Sequence, residues 1–215
     1  MVRTSPWIHF SRLCFNSNES SDFLPEEFKP SFAGIDESNH GRDPEIYVAV
    51  YSDEVDDVAP NYYFSRNNRM IRGRLKKKNG AFYVSDCHNL KFRYIIVTQK
   101  HKEFLTRCGL KADREIRIAA LSSFASAFHK LDLFLVDGDL DEYSLNRTKL
   151  LVPSHIFPKK IEAMPNADMI YPLVNTAHHV AYALHNYYSE PLSQNTEYVL
   201  PEHRIGLCLE ELLRI

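Results

Sequence analysis

Short apolar runs separated by turn residues dominate the first half of the chain, and their composition is typical of β-strands. The runs are rich in Val, Ile, Tyr and Phe, and they lie at 32–36, 45–52, 70–75, 81–85 and 92–98. A Gly-Arg-Asp-Pro sequence separates the first two runs, and Lys-Asn-Gly separates the third from the fourth. Because such residues favour tight reversals of the chain, each pair predicts an antiparallel hairpin.

The second half combines helical spacing with further apolar runs. Between 113 and 130 the apolar residues recur at intervals of four, which predicts a helix. The largely apolar run at 131–136, in which Asp132 is the one polar residue, predicts a strand that is buried on both faces. A short strand at 156–163, a helix at 173–188 and a last short helix at 205–215 complete the pattern. This order predicts an α/β fold with a mixed sheet, antiparallel at first and parallel after the intervening helix.

Composition indicates one globular domain of ordinary character. The chain has 215 residues, of which 44% are hydrophobic and 25% are charged, and this length favours a single domain. We expect that domain to span 31–215, after an irregular lead-in at 1–30. The four cysteines show no Cys-x-x-Cys spacing, and no apolar run is long enough to cross a bilayer. We therefore expect a soluble cytoplasmic protein without a membrane partner.

Acidic residues stand at the ends of three apolar segments. Asp36 and Glu37 close the first strand, Asp137 closes the strand at 131–136, and Asp168 opens the segment before the last long helix. A buried carboxylate is costly unless it is paired, hydrogen-bonded or bound to a cation. Carboxylate oxygens are also the ligands that Mg²⁺ and Mn²⁺ prefer. The placement predicts a Mg²⁺ or Mn²⁺ site formed by these four side chains.

The same segments resemble ribonuclease HII, a family with the ribonuclease H-like fold. The likeness rests on Ala-Gly-Ile-Asp-Glu at 33–37, on Val-Asp-Gly at 136–138, and on Ala-Asp at 167–168 leading into a small-residue helix. A group of uncharacterised ribonuclease H-like proteins also begins with an Asp-Glu-Ser strand and ends with an Ala-Asp helix, and the chain is similar to these too.

The resemblance implies a two-metal nuclease that cleaves RNA in RNA/DNA hybrids or a related structured nucleic acid. Asp36, Glu37, Asp137 and Asp168 would then be both the metal ligands and the catalytic residues, with Asp36 as the central, bridging ligand. In such a site two ions about 3.5–4 Å apart activate a water and stabilise the leaving oxygen during attack on a phosphodiester.

Candidate substrate-binding residues lie just after the acidic pair and in the most basic stretch of the chain. Basic residues between 66 and 78 alternate with hydrophobic ones, an arrangement that could grip phosphates or could form a solvated hairpin face. Since the formal net charge is −2, attraction of nucleic acid would depend on such a local patch. The candidates from the two segments are Ser38, His40, Arg42, Arg72, Arg74 and Lys76.

Two adjacent histidines lie about one turn into the last long helix, near Asp168 in sequence. Adjacent helix positions diverge by about 100°, so only one of His178 and His179 can face the acidic residues. That histidine could act as a proton shuttle or support the site; the alternative is a helix histidine that is partly exposed to solvent.

Other interpretations of the acidic residues remain open. Asp36 and Asp137 also suit ordinary turns, and Asp168 suits a helix cap. The segment 38–42 is longer than the Gly-Arg-Gly of ribonuclease HII, and the tyrosine motif of that family is not recognisable. These differences favour a second hypothesis, a non-catalytic ribonuclease H-like nucleic-acid-binding or scaffold protein. A defence-associated nuclease of the same fold is a third.

Overall fold

The computed structural model describes residues 29–38, 43–55, 62–66, 73–77, 87, 90–128, 130–189, 203–207 and 209. Within these ranges the chain forms strands and α-helices, joined before the last helix by a short 3-10 turn at Ala167–Met169. In chain order the elements are β1 (Phe32–Ser38), β2 (Glu45–Ser52), β3 (Tyr62–Arg66), β4 (Gly73–Lys77), β5 (Phe92–Val97), α1 (Gln99–Arg107), α2 (Ala112–Ala125), β6 (Leu133–Asp137), α3 (Glu142–Leu151), β7 (Lys160–Met164) and α4 (Pro172–Ser189).

Five of the strands form one mixed sheet, in the order β5-β2-β1-β6-β7. β1, β2 and β5 pair antiparallel, whereas β6 pairs parallel with both β1 and β7. A parallel neighbour requires a crossover connection, and α1 with α2 supplies it between β5 and β6, as α3 does between β6 and β7. The predicted α/β class and mixed sheet are confirmed.

Helices cover both faces of this sheet because the side chains of its central strands alternate. In β2, Ile46 and Val48 pack with Ala177 of α4, whereas Tyr47 packs on the opposite face with Ile116 of α2. Each of these side chains is buried. Burial on both faces suits the near-continuous apolar composition of the central strands. The sheet is thus a middle layer between α4 on one side and α1, α2 and α3 on the other.

Several predicted boundaries differ from the structure. The helix predicted at 113–130 ends at Ala125, and the strand predicted at 156–163 begins at Lys160. The helix predicted at 205–215 is wrong where it can be compared, because residues 205–207 and 209 are not helical. Instead, Arg204 forms a parallel bridge with Tyr94, and the Ile205 N–H donates to the Tyr94 carbonyl at 2.9 Å.

The second predicted hairpin also differs in part. β4 overlaps the run predicted at 70–75, but it pairs antiparallel with β3 in a separate two-stranded sheet. The strand predicted at 81–85 and its turn lie outside the described residues. Helices α1 and α3 were not predicted. None of the helices in the described ranges is both long and apolar enough to cross a membrane.

Candidate functional site

The parallel pairing of β1 with β6 brings together two acidic residues that are about a hundred positions apart. The last pair in this register is Ile35 with Val136, and Asp36 and Asp137 are the next residues on their strands. Because Ile35 and Val136 both belong to the core on the α2 face, the two aspartates belong to the opposite face, against α4. This register forms the centre of the candidate site.

Gly34 explains how α4 comes so close to Asp36. A Cβ atom on Gly34 would lie 2.7 Å from the backbone carbon of Leu173 and 2.7 Å from the backbone nitrogen of Val174. Only a residue without a side chain permits this contact. Asp36 lies two residues further along the same strand face, and His178 lies one helical turn beyond Val174. The Gly-x-Asp spacing therefore places Asp36 beneath His178.

Asp36 is a buried carboxylate with only 3% of its surface exposed. Its Oδ1 accepts a hydrogen bond from the Glu37 backbone N–H at 2.7 Å, and its Oδ2 lies 2.9 Å from Nδ1 of His178. Burial raises the pKa of Asp36 from 3.8 to about 6, an effect that the hydrogen bond from His178 opposes and the charges of Glu37 and Asp137 reinforce. Ionisation of Asp36 therefore costs more free energy in the folded protein than in the unfolded chain.

Asp137 is joined directly to the turn that carries Asp168. Its Oδ1 accepts a hydrogen bond from the Ala167 N–H at 2.6 Å. Burial and then the negative charge of Asp168 raise the pKa of Asp137, while hydrogen bonds from the Ala167 and Asp168 N–H groups lower it. Asn166 begins this turn in the left-handed conformation, with φ of 60°. The turn therefore brings a third carboxylate beside the pair from the sheet.

Glu37 faces away from the other three acidic residues. It follows Asp36 on β1, so its side chain belongs to the opposite face of the sheet, where it pairs in register with Tyr47. There it lines an open polar cleft of about 440 Å³ together with Lys102 and Arg117. The structure thus groups Asp36, Asp137 and Asp168 and places Glu37 behind them, although its charge still acts on both Asp36 and Asp137.

His178 is the histidine of the adjacent pair that reaches the acidic residues. Its hydrogen bond to Asp36 raises its pKa, and the charges of Asp36, Asp168 and Asp137 act in the same direction. His179 meets the His178 ring edge to face, with 5.6 Å between the ring centres. The sequence left open whether either histidine contacts an aspartate.

The candidate substrate-binding residues have different outcomes. Ser38 is buried, and its Oγ accepts a hydrogen bond from the Ile46 N–H at 3.3 Å, so it fastens the end of the β1-β2 pair. Arg74 and Lys76 lie on β4, outside the main sheet. His40, Arg42 and Arg72 lie outside the described residues. The role of these residues in substrate binding stays a prediction.

Comparison with known proteins does not identify a family for this chain. No protein-family model and no curated protein matches the chain. The site must therefore be interpreted from its own residues.

The chemistry of the donor set fits a hard divalent cation. Asp36, Asp137 and Asp168 offer oxygen ligands, and their mutual repulsion is of the kind that a cation relieves. In the described parts of the chain no three His, Cys, Asp or Glu side chains are arranged to hold one ion together. Mg²⁺, however, commonly takes only one or two carboxylates and completes its shell with water and substrate phosphate. The two aspartates from the sheet are as many carboxylates as such a site uses.

Proposed function

We propose that the protein is a divalent-metal-dependent nuclease of the ribonuclease H-like fold, similar to ribonuclease HII, that hydrolyses phosphodiester bonds of RNA in RNA/DNA hybrids or a related structured nucleic acid. The observation that carries the proposal is the placement of Asp36 and Asp137 near the carboxyl ends of two adjacent parallel strands, on the same face of the sheet. Asp168 joins them through its turn.

The sheet supports the fold that the resemblance implies. Its antiparallel strands β1, β2 and β5 precede its parallel strands β6 and β7, and helices lie on both faces. The three segments that resemble ribonuclease HII contribute β1, the end of β6 and the turn before α4. The meeting of these segments, which are remote in sequence, supports a shared carboxylate site.

Mg²⁺ or Mn²⁺ held by Asp36 and Asp137, with Asp168 beside them, would supply an activated water and stabilise the negative charge of the leaving oxygen. The chain contributes position and environment. His178 holds the Oδ2 atom of Asp36, and the Ala167 N–H holds the Oδ1 atom of Asp137. Packing of α4 against β1 excludes water from the buried side of Asp36, which strengthens its interaction with any cation.

A non-catalytic ribonuclease H-like binding protein is the second candidate. The separate orientation of Glu37 favours it, because a two-metal site of all four carboxylates would need Glu37 on the face of Asp36. In that case the site would bind a metal ion weakly or not at all, and nucleic acid would be bound without being cleaved.

Calorimetric titration with Mn²⁺ tests the metal site. We expect the wild-type protein to bind Mn²⁺ and the Asp137→Asn variant to lose most of that affinity, because an amide keeps the hydrogen bond to the Ala167 N–H but removes the charge. Asp132→Asn is the matched control, since Asp132 is exposed and pairs with Lys159 at 2.5 Å. Equal Mn²⁺ affinity in wild type and Asp137→Asn would rule out the assigned site.

Cleavage assays with Mg²⁺ or Mn²⁺ test the activity. The substrates are an RNA/DNA hybrid, a duplex with one ribonucleotide, single-stranded RNA and DNA, and double-stranded DNA. We expect cleavage of the ribonucleotide-containing duplexes and none by Asp137→Asn. Binding of nucleic acid without cleavage of any substrate would favour the non-catalytic candidate, and cleavage of DNA alone would favour a nuclease with another target.

A further inference from the structure

We propose that Arg117 is a positioning residue for the carboxylate site, acting on Asp137 from the opposite face of the sheet. This inference rests on the proposed function for its consequence in metal binding. The geometry from which it is drawn, however, belongs to the polar cleft on the α2 side and not to the cluster beside α4.

Arg117 reaches the backbone at the end of β6. Its Nη2 atom donates a hydrogen bond to the main-chain carbonyl of Asp137. The helix that carries it is firmly placed, because the neighbouring Ile116 and Ile118 are both fully buried in the core. A rigid helix thus holds one end of a hydrogen bond whose other end is the backbone of an acidic site residue.

Gly138 provides the space for this contact. It has a φ of 81°, a conformation that favours glycine. A Cβ atom on Gly138 would lie 2.9 Å from Nη2 of Arg117 and 3.2 Å from its Nη1. The Asp-Gly sequence at the strand end therefore makes contacts on both sides of the sheet. Aspartate presents a carboxylate to the α4 side, and glycine admits the guanidinium on the α2 side.

Anchoring matters here because the pairing of β6 ends at this residue. Asp137 is paired with Met164 in the last position of the β6-β7 register, and the Gly138 N–H donates to the Met164 carbonyl at 2.9 Å. The β1-β6 register has already ended one residue earlier. On the β1 side, the Arg117 hydrogen bond takes the place of the missing strand pairing. It fixes the carbonyl of Asp137, and with it the direction of the carboxylate that accepts a hydrogen bond from the Ala167 N–H.

Substitution of Arg117 by Met, with Arg114→Met as the matched control, tests this role. Arg114 lines the same cleft and lies on the same helix. It pairs, however, with the buried Glu115 at 3.5 Å, and its guanidinium lies over the Tyr143 ring at 4.0 Å. Its loss should lower stability without touching Asp137. Arg117→Lys keeps one donor, so it should restore part of what Arg117→Met loses.

Two measurements are made on each variant. The first is amide hydrogen exchange at Ala167 by NMR in the metal-free protein, since that N–H donates to the carboxylate of Asp137. We expect Arg117→Met to speed this exchange about tenfold relative to Arg114→Met when each rate is corrected for global stability. The second is Mn²⁺ affinity, which we expect Arg117→Met to weaken by about 10- to 100-fold, the usual effect of removing an outer partner of a ligand.

The two readouts separate failure of the positioning role from failure of the proposed function. Unchanged exchange at Ala167 in Arg117→Met would overturn the positioning role, whether or not Mn²⁺ binds. Equal effects in Arg114→Met and Arg117→Met would also overturn it, because a general loss of stability would then explain both. Faster exchange in a protein that binds no Mn²⁺ would support the positioning role and contradict the metal site. If Arg117→Met does not fold, the exchange rate at Ala167 in Arg117→Lys is compared with that in the wild type instead.

Discussion

Replacement of Asp36 by Asn should stabilise the metal-free protein at neutral pH while destroying the candidate site. The reason is the cost of a buried charge. The pKa of Asp36 is raised from 3.8 to about 6 mainly by burial, so the folded protein resists ionisation of a group that ionises readily in the unfolded chain. An amide of almost the same shape keeps the hydrogen bond from the Glu37 N–H and carries no charge.

The expected size of the effect comes from the same shift. One pKa unit corresponds to about 1.4 kcal/mol, so a shift from 3.8 to about 6 amounts to a penalty of about 3 kcal/mol when Asp36 is ionised. For a protein of this length, each kcal/mol moves the melting temperature by about 2–4 °C. We therefore expect Asp36→Asn to raise the melting temperature by about 6–12 °C near pH 8 in the presence of a chelator.

The advantage of the variant should shrink on acidification. Because the folded-state pKa of Asp36 lies above the unfolded value, the folded state binds more protons between about pH 4 and pH 6, and wild-type stability rises as the pH falls through that window. The hydrogen bond to Asp36 also raises the pKa of His178, and this contribution is likewise present at low pH and lost at high pH. Both effects favour the wild type in acid.

Thermal unfolding followed by circular dichroism across this pH range is the assay. Asp132→Asn is the control, because an exposed aspartate should change stability by no more than about 0.5 kcal/mol. Added Mn²⁺ should stabilise the wild type and leave Asp36→Asn unchanged, since only a protein that binds the ion gains from it. A variant less stable than wild type near pH 8, or one whose advantage does not depend on pH, would refute the reasoning.

Two further substitutions test how the site is built. Gly34→Ala should destabilise the protein by about 1–3 kcal/mol or more and lower Mn²⁺ affinity, measured by urea unfolding and calorimetry, because the added methyl would meet the backbone of Leu173 and Val174 at 2.7 Å. Asp141→Ala should lower the melting temperature and leave Mn²⁺ affinity unchanged, because Asp141 caps α3 by accepting from the Ser144 N–H at 2.7 Å and lines the cleft on the α2 side. A loss of Mn²⁺ affinity in Asp141→Ala, or an unchanged Gly34→Ala, would contradict this division.

Elements with a strong apolar pattern were predicted from sequence, and those that lack one were not. The main strands and helices α2 and α4 bury continuous apolar stripes, which periodicity detects. In α1 the buried residue is Leu105, and in α3 the buried residues are Ser144 and Thr148. Phe104 of α1 and Leu151 of α3 are only partly buried against the core. Thr148 satisfies its own Oγ1 by donating to the Ser144 carbonyl at 2.8 Å. With so few buried apolar residues, neither helix shows the repeated apolar positions from which α2 and α4 were predicted.

The candidate site was predictable as a set of residue types but not as an arrangement. Asp36, Asp137 and Asp168 were identified from their positions at the ends of apolar segments, and the structure places them together. Arg117 was missed because its contact is with a backbone carbonyl, which no side-chain pattern reveals. The nearest signal was the glycine after Asp137, since a positive-φ glycine at a strand end often marks the close approach of another group.

Strand periodicity also changes which acidic residues should be considered one unit. The adjacent pair Asp36 and Glu37 is the most visible acidic feature of the sequence, yet a strand sends neighbouring side chains to opposite faces. The parallel pairing of β1 with β6, by contrast, brings Asp36 beside Asp137, which the sequence separates widely. The candidate site is therefore centred on a pair across β1 and β6, with Arg117 and Glu37 lining the cleft behind it. It follows that substitutions at Asp36 and Asp137 should be coupled in Mn²⁺ binding, whereas Glu37 should act on that binding only through its charge.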